Sequence, residues 1–143
     1  MMKLSKIILF PIALLLFACH TKSSPKSKSK EIQKLEILAY YQSSGKLGYL
    51  IESVKIEGNL IVFNIIHSGG CKPHSFRLIG DSTISKSNIA QTNLYLVHEN
   101  NGDVCTNEIK KELTFDISRL KNLGFNPIQL NIDNLNNIIY TFK

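Results

Sequence analysis

Glu57-Gly58-Asn59-Leu60-Ile61-Val62-Phe63-Asn64-Ile65-Ile66-His67 is the stretch that decides the fold. From Leu60 to Ile66 only Asn64 interrupts the apolar residues. The run is rich in β-branched side chains and too short for a helix that would bury itself on all sides. A strand that is apolar on both faces belongs in the middle of a sheet, where each face meets other protein. Gly58-Asn59 is hairpin chemistry, and it joins this run to Ser53-Val54-Lys55-Ile56-Glu57.

Working outward, the same grammar recurs in Phe76–Gly80, Leu94–Glu99, Leu113–Ile117, Ile128–Ile132 and Ile138–Lys143. Each segment is short, β-branched or aromatic, and bounded by turn residues. Asn100-Asn101-Gly102-Asp103 predicts a second tight turn and Asn134 to Asn137 a third. Ile128, Leu130 and Ile132 alternate with Gln129 and Asn131, the mark of a strand with one wet face. Residues 117–124, ISRLKNLG, predict one short helical turn closed by Gly124, with Asp116 or Ser118 as its cap. Seven or eight strands at this spacing predict an all-β domain. The expected architecture is an immunoglobulin-like two-sheet sandwich, with a small β-barrel as the alternative.

The chain has 143 residues. That suffices for one domain and is too little for a doubly wound nucleotide fold or a β/α barrel. The net charge of +6 is not a nucleic-acid footprint. Six of the 17 basic residues lie in the first 30, so residues 31–143 hold 11 bases against all 11 acids. A nucleic-acid binder concentrates its bases on the folded face, so no nucleic-acid partner is expected.

Residues 1–18 read as an export signal: Lys3 and Lys6, an apolar run from Ile7 to Phe17, and the small Ala18. The run is far below the roughly 20 residues that cross a bilayer. Leu16-Phe17-Ala18-Cys19 resembles the lipobox of bacterial lipoproteins, with Phe17 where a smaller residue is usual. The resemblance implies that Cys19 is acylated, with palmitate among the chains, and becomes the first mature residue. It further implies a membrane partner through that anchor and a place in the cell envelope at the outer membrane. A plain secretory signal cut near Ala18 is the alternative. Residues 19–30 then form a Ser/Lys-rich tether that can bury nothing, and residues 31–143 form the sandwich.

With Cys19 lipidated, Cys71 and Cys105 remain as an even pair in an oxidising compartment, and a disulfide is the expected state. Closing a loop of that length removes about 3.8 kcal/mol of unfolded-chain entropy. The alternative notes that both cysteines travel with histidines, in Gly69-Gly70-Cys71-Lys72-Pro73-His74 and in His98 with Cys105. Cys71, His74, His98 and Cys105 would make a Cys2His2 zinc site. His67 and His20 are expected to be bystanders, and Asp103 an ordinary turn residue.

The pattern GGCxxH, then HxxxxDxC from His98 to Cys105, then LTFDISxL at 113–120, resembles an uncharacterised family of lipoproteins common in the Bacteroidetes. The likeness covers about residues 65–132 and implies a shared framework without an assigned chemistry. Ser68-Gly69-Gly70-Cys71, followed by Arg77, is similar to the cysteine motif of L,D-transpeptidases. It lacks the histidine inside that motif, and no histidine lies between residues 31 and 66 to activate the thiol. A cell-wall enzyme with a Cys71/His74 dyad and Arg77 as anion holder is therefore the weaker alternative. The expected role is binding or structural, not catalytic, with no resident cofactor and with an envelope protein as the candidate partner.

Overall fold

The computed structural model describes residues 31–42, 48–133 and 135–143. The signal, the tether and Cys19 lie outside the described residues.

Two sheets pack face to face and do not close into a barrel. In spatial order the first is β1 (Ile32–Lys34), β7 (Asn107–Asp116), β4 (Leu60–Gly69) and β3 (Tyr49–Glu57). The second is β2 (Glu36–Leu38), β5 (Ser75–Asp81), β6 (Ala90–Glu99), β8 (Ile128–Ile132) and β9 (Leu135–Tyr140). The apolar run at 60–66 is indeed an inner strand, held between β3 and β7 by antiparallel ladders. As in an immunoglobulin domain, the first strand is divided between the sheets. Unlike one, the structure pairs inner strands β6 and β8 in parallel, with β7 and a 3₁₀ helix on the path between them.

The strands extend beyond the apolar segments that announce them, and β1 and β2 have no sequence signal of that kind. They are three residues each and pair in parallel with β7 and β5. Leu35 between them is fully buried. The turn expected over Asn134–Asn137 is displaced: Asp133 takes the left-handed conformation at φ 47°, and Leu135 already pairs with Ile132. Short side chains such as that of Asp tolerate this conformation; Asn134 itself lies outside the described residues. The helical turn is the 3₁₀ helix Ser118–Leu123, ended by Gly124 at φ 79°. The Ser118 N–H donates to Asp116 Oδ1 at 2.8 Å just ahead of it.

Side-chain parity fixes the core. Ile61, Phe63 and Ile65 on β4, Phe76 and Leu78 on β5, and Leu94 and Leu96 on β6 are all buried between the sheets. Continuing each row by two residues reaches His67, His74 and His98.

Candidate functional site

Because successive residues of a strand point to opposite faces, the parity that buries Ile65 and Leu96 also turns His67 and His98 inward. His74 stands two residues before Phe76, immediately ahead of β5. The three imidazoles therefore meet at one end of the sandwich, on top of the apolar core. Ring centroids are 4.5 Å apart for His67 and His74, 4.9 Å for His74 and His98, and 5.4 Å for His67 and His98. Phe76 stacks flat on His98 at 4.5 Å, and Tyr49 meets His98 edge-on.

Asp103 organises the loops above them. Its Oδ2 accepts the backbone N–H groups of Gly70 (2.9 Å), Cys71 (3.0 Å) and Lys72 (3.0 Å), and its Oδ1 accepts that of Cys105 at 2.9 Å. His74 Nε2 lies 3.1 Å from the same Oδ2, with the two side chains 4% and 1% exposed. These donors, the Cys105 and Lys72 N–H groups foremost, hold the Asp103 carboxyl well below the usual carboxylate range. Hydrogen bonds to the charged form are the cause, so Asp103 is an anion at neutral pH. The sequence reading of Asp103 as an ordinary turn residue is corrected here. It does end the Asn100–Asp103 turn, with its N–H bonded to the Asn100 carbonyl, but its carboxylate ties that turn to residues more than 30 positions earlier.

The Cys71–Cys105 disulfide joins the same two loops, with Cα atoms 5.9 Å apart. Lys72 Nζ donates to the carbonyls of Asn101 and Gly102, and Asn101 Nδ2 donates to the Pro73 carbonyl. Gly69 makes the close approach feasible. A Cβ there would stand 2.5 Å from His74 Cε1 and 2.6 Å from Nε2, inside any real contact.

Of the four residues considered for a Cys2His2 site, the structure brings His74 and His98 together, with His74 Nδ1 2.9 Å from His98 Nε2. The two sulfurs are bonded to each other and offer no thiolate ligand. The residue that joins the histidines is His67, expected to be a bystander and found buried at 5% exposure. The signal that could have found it is the parity of β4: His67 follows Ile61, Phe63 and Ile65 at strict two-residue steps. The Cys71/His74 dyad has no thiol in this state. Arg77 faces outward in ion pairs with Glu99 and Glu36 and takes no part in the cluster.

Tyr49 borders the site. Its hydroxyl donates to the Leu96 carbonyl and lies 3.0 Å from Asp133 Oδ2. Burial, reinforced by the Asp133 charge, pushes its phenol far above the usual range, so it stays protonated. Beside it a cleft of about 360 Å³, lined by Gly48, Tyr49, His67, Ser68, Thr106 and Glu108, leads from solvent to His67.

No protein-family model matches the chain, and no curated protein sequence matches it. Among solved structures it is similar to a NigD-like immunity protein from Bacteroides caccae, at 14% identity and a TM-score of 0.54 over 76% of this chain and 57% of that one. It is also similar to a protein of unknown function, DUF1344, from Bacteroides vulgatus, at 15% identity and a TM-score of 0.52 over 80% of this chain and 57% of that one. At such identities the likeness is one of fold, and the chain spans little more than half the length of either protein. Neither description names an enzyme.

Proposed function

We propose that this chain is an envelope lipoprotein, anchored in the outer membrane through Cys19, whose sandwich has a binding or structural role rather than a catalytic one. The Cys71–Cys105 disulfide carries the reading. Such bonds persist outside the reducing cytoplasm, and this one fastens the two loops that close one end of the sandwich. The leader and the Ser/Lys tether supply the address and the reach. A disulfide cannot act as a nucleophile, which speaks against the cell-wall enzyme with Cys71 and His74. The same loop end, where the polar side chains converge, is the surface for an envelope protein partner.

The test is metabolic labelling of the full chain with a fatty-acid analogue in a Gram-negative host, followed by membrane fractionation. Label is expected on the parent and not on Cys19→Ala, with the parent in the outer-membrane fraction and the variant released from it. If Cys19→Ala partitions as the parent does, the anchor is wrong. Rapid reaction of Cys71 with a thiol probe in the native protein would overturn the non-catalytic reading.

A further inference from the structure

We infer that His67, His74 and His98 form a three-imidazole site for one divalent transition-metal ion, zinc being the reference, with Asp103 and the Ser68 carbonyl as the groups that orient the ligands. The inference concerns the sandwich and does not depend on the anchor.

The tautomers follow from the partners. Asp103 Oδ2 already accepts the N–H groups of Gly70, Cys71 and Lys72, so the ring nitrogen facing it, His74 Nε2, donates to it and His74 Nδ1 is turned towards His98. The Ser68 carbonyl only accepts. His67 Nδ1, 3.1 Å from it, therefore carries the proton, which leaves the Nε2 lone pair for the cluster. A ligating histidine commonly donates its other ring N–H to a carboxylate or a backbone carbonyl, and this fixes its tautomer and orientation. Two of the three imidazoles already have that arrangement. One ring nitrogen from each of His67, His74 and His98 lies within 4.8 Å of the others.

Distances agree with an ion replacing a shared proton. His74 Nδ1 and His98 Nε2 stand 2.9 Å apart, joined by one hydrogen. Two nitrogens on a tetrahedral zinc are about 3.3 Å apart, given Zn–N bonds of about 2.0–2.1 Å. Opening the pair by roughly 0.4 Å, with His67 drawn in, admits the ion. As the ion enters, His98 takes the tautomer with its proton on Nδ1, which frees Nε2 as the ligand atom. Nitrogen donors select zinc, copper or nickel over magnesium and calcium. Three protein ligands leave the fourth position open, and the cleft at His67 gives it a path to solvent.

The surroundings hold the three rings in place. Gly69 is stripped of a side chain where His74 passes. A Cβ on Gly48 would come 3.0 Å from His98 Nδ1. The carboxylate that holds His74 is itself held by four backbone N–H groups.

The experiment uses the full chain, purified in mild detergent with its disulfide intact and stripped by a chelator, titrated calorimetrically with zinc chloride. One equivalent is expected to bind with sub-micromolar affinity and to raise the melting temperature, while magnesium does neither. His67→Leu, which continues the apolar row of β4, is expected to fold and to lower zinc affinity at least 100-fold. His98→Gln is the second variant should the first fail to fold. Cobalt(II) in place of zinc should give the visible spectrum of a nitrogen-ligated tetrahedral ion without a sulfur charge-transfer band. No stoichiometric zinc uptake by the parent, or parent-like affinity in the folded variants, would overturn the site. Uptake only after reduction, with a sulfur band, would overturn it in favour of Cys71, His74, His98 and Cys105. None of these results bears on whether Cys19 holds the protein in a membrane.

Discussion

Where β4 begins, the sandwich is closed by hydrocarbon: Ile117, Leu120, Ile128 and Tyr140 are all fully buried, Leu120 being the buried residue of the 3₁₀ helix. The Tyr140 hydroxyl reaches Asn59 Oδ1 at 2.9 Å, and the Ile117 N–H reaches the Asn59 carbonyl at 2.9 Å. Where β4 finishes, the same inward rows end in three imidazoles under a disulfide, a buried carboxylate and a set of loop-to-loop hydrogen bonds. Apolar closure is non-directional and nearly any well-shaped group supplies it. Buried imidazoles demand partners in fixed places, because an unsatisfied buried donor or acceptor costs about 1–3 kcal/mol. Fold stability alone would have been served by two ends of the first kind. The second end is specified residue by residue, where the first needs only apolar bulk.

The contrast can be broken most forcefully at the disulfide. Cys71→Ser with Cys105→Ser is expected to lower the free energy of unfolding by about 4 kcal/mol in a denaturant titration. A loss below about 1 kcal/mol would mean that Asp103 and Lys72 hold the loops unaided. At the opposite end, Leu120→Ala should cost about 3 kcal/mol through the cavity it leaves. Hydrogen exchange at Gly70, Cys71 and Lys72 should stay as slow as in the parent, and faster exchange there would show that the two ends are not independent. The smallest effect concerns acid. The Ser118 N–H, then its hydroxyl, holds the Asp116 carboxyl below the usual range. A depressed native pKa adds stability that is fully present above the unfolded value of about 4 and lost as pH falls through the native value. Asp116→Asn should therefore cost stability at pH 7 and make the decline below pH 4 shallower. The group is only partly buried, so the difference should stay under about 1 kcal/mol. An identical acid limb in parent and variant would remove Asp116 from the helix entry.

The sandwich was legible because its strands are short β-branched runs set between turns. Leu60–Ile66 announces an inner strand by being apolar on both faces, Ile128-Leu130-Ile132 announces both strand and face, and Gly58-Asn59 announces the hairpin. β1 and β2 were not legible, since Ile32–Lys34 and Glu36–Leu38 are too short to show a period and pair with strands far along the chain. The first half of β7 was missed for a related reason: its inward positions, Ile109 and Lys111, face the polar end, so the apolar alternation fades. His67 was within reach of the same parity argument that places Ile65. The role of Asp103 was not, because the N–H groups its carboxylate collects belong to a loop that only the tertiary fold brings near.

The divided first strand ties chain order to edge protection. β1 covers the outer side of β7 and β2 the outer side of β5, so seven residues, Ile32 to Leu38, blunt one bare edge in each sheet. Neither partner exists when those residues leave the ribosome: β2 waits for Ile79–Asp81, and β1 waits for Thr114–Asp116. The segment made first thus cannot pair first, and folding cannot proceed simply from the N-terminus forward. The edge of β5 stays open to stray strands until Asp81 has been made, and that of β7 until Asp116 has.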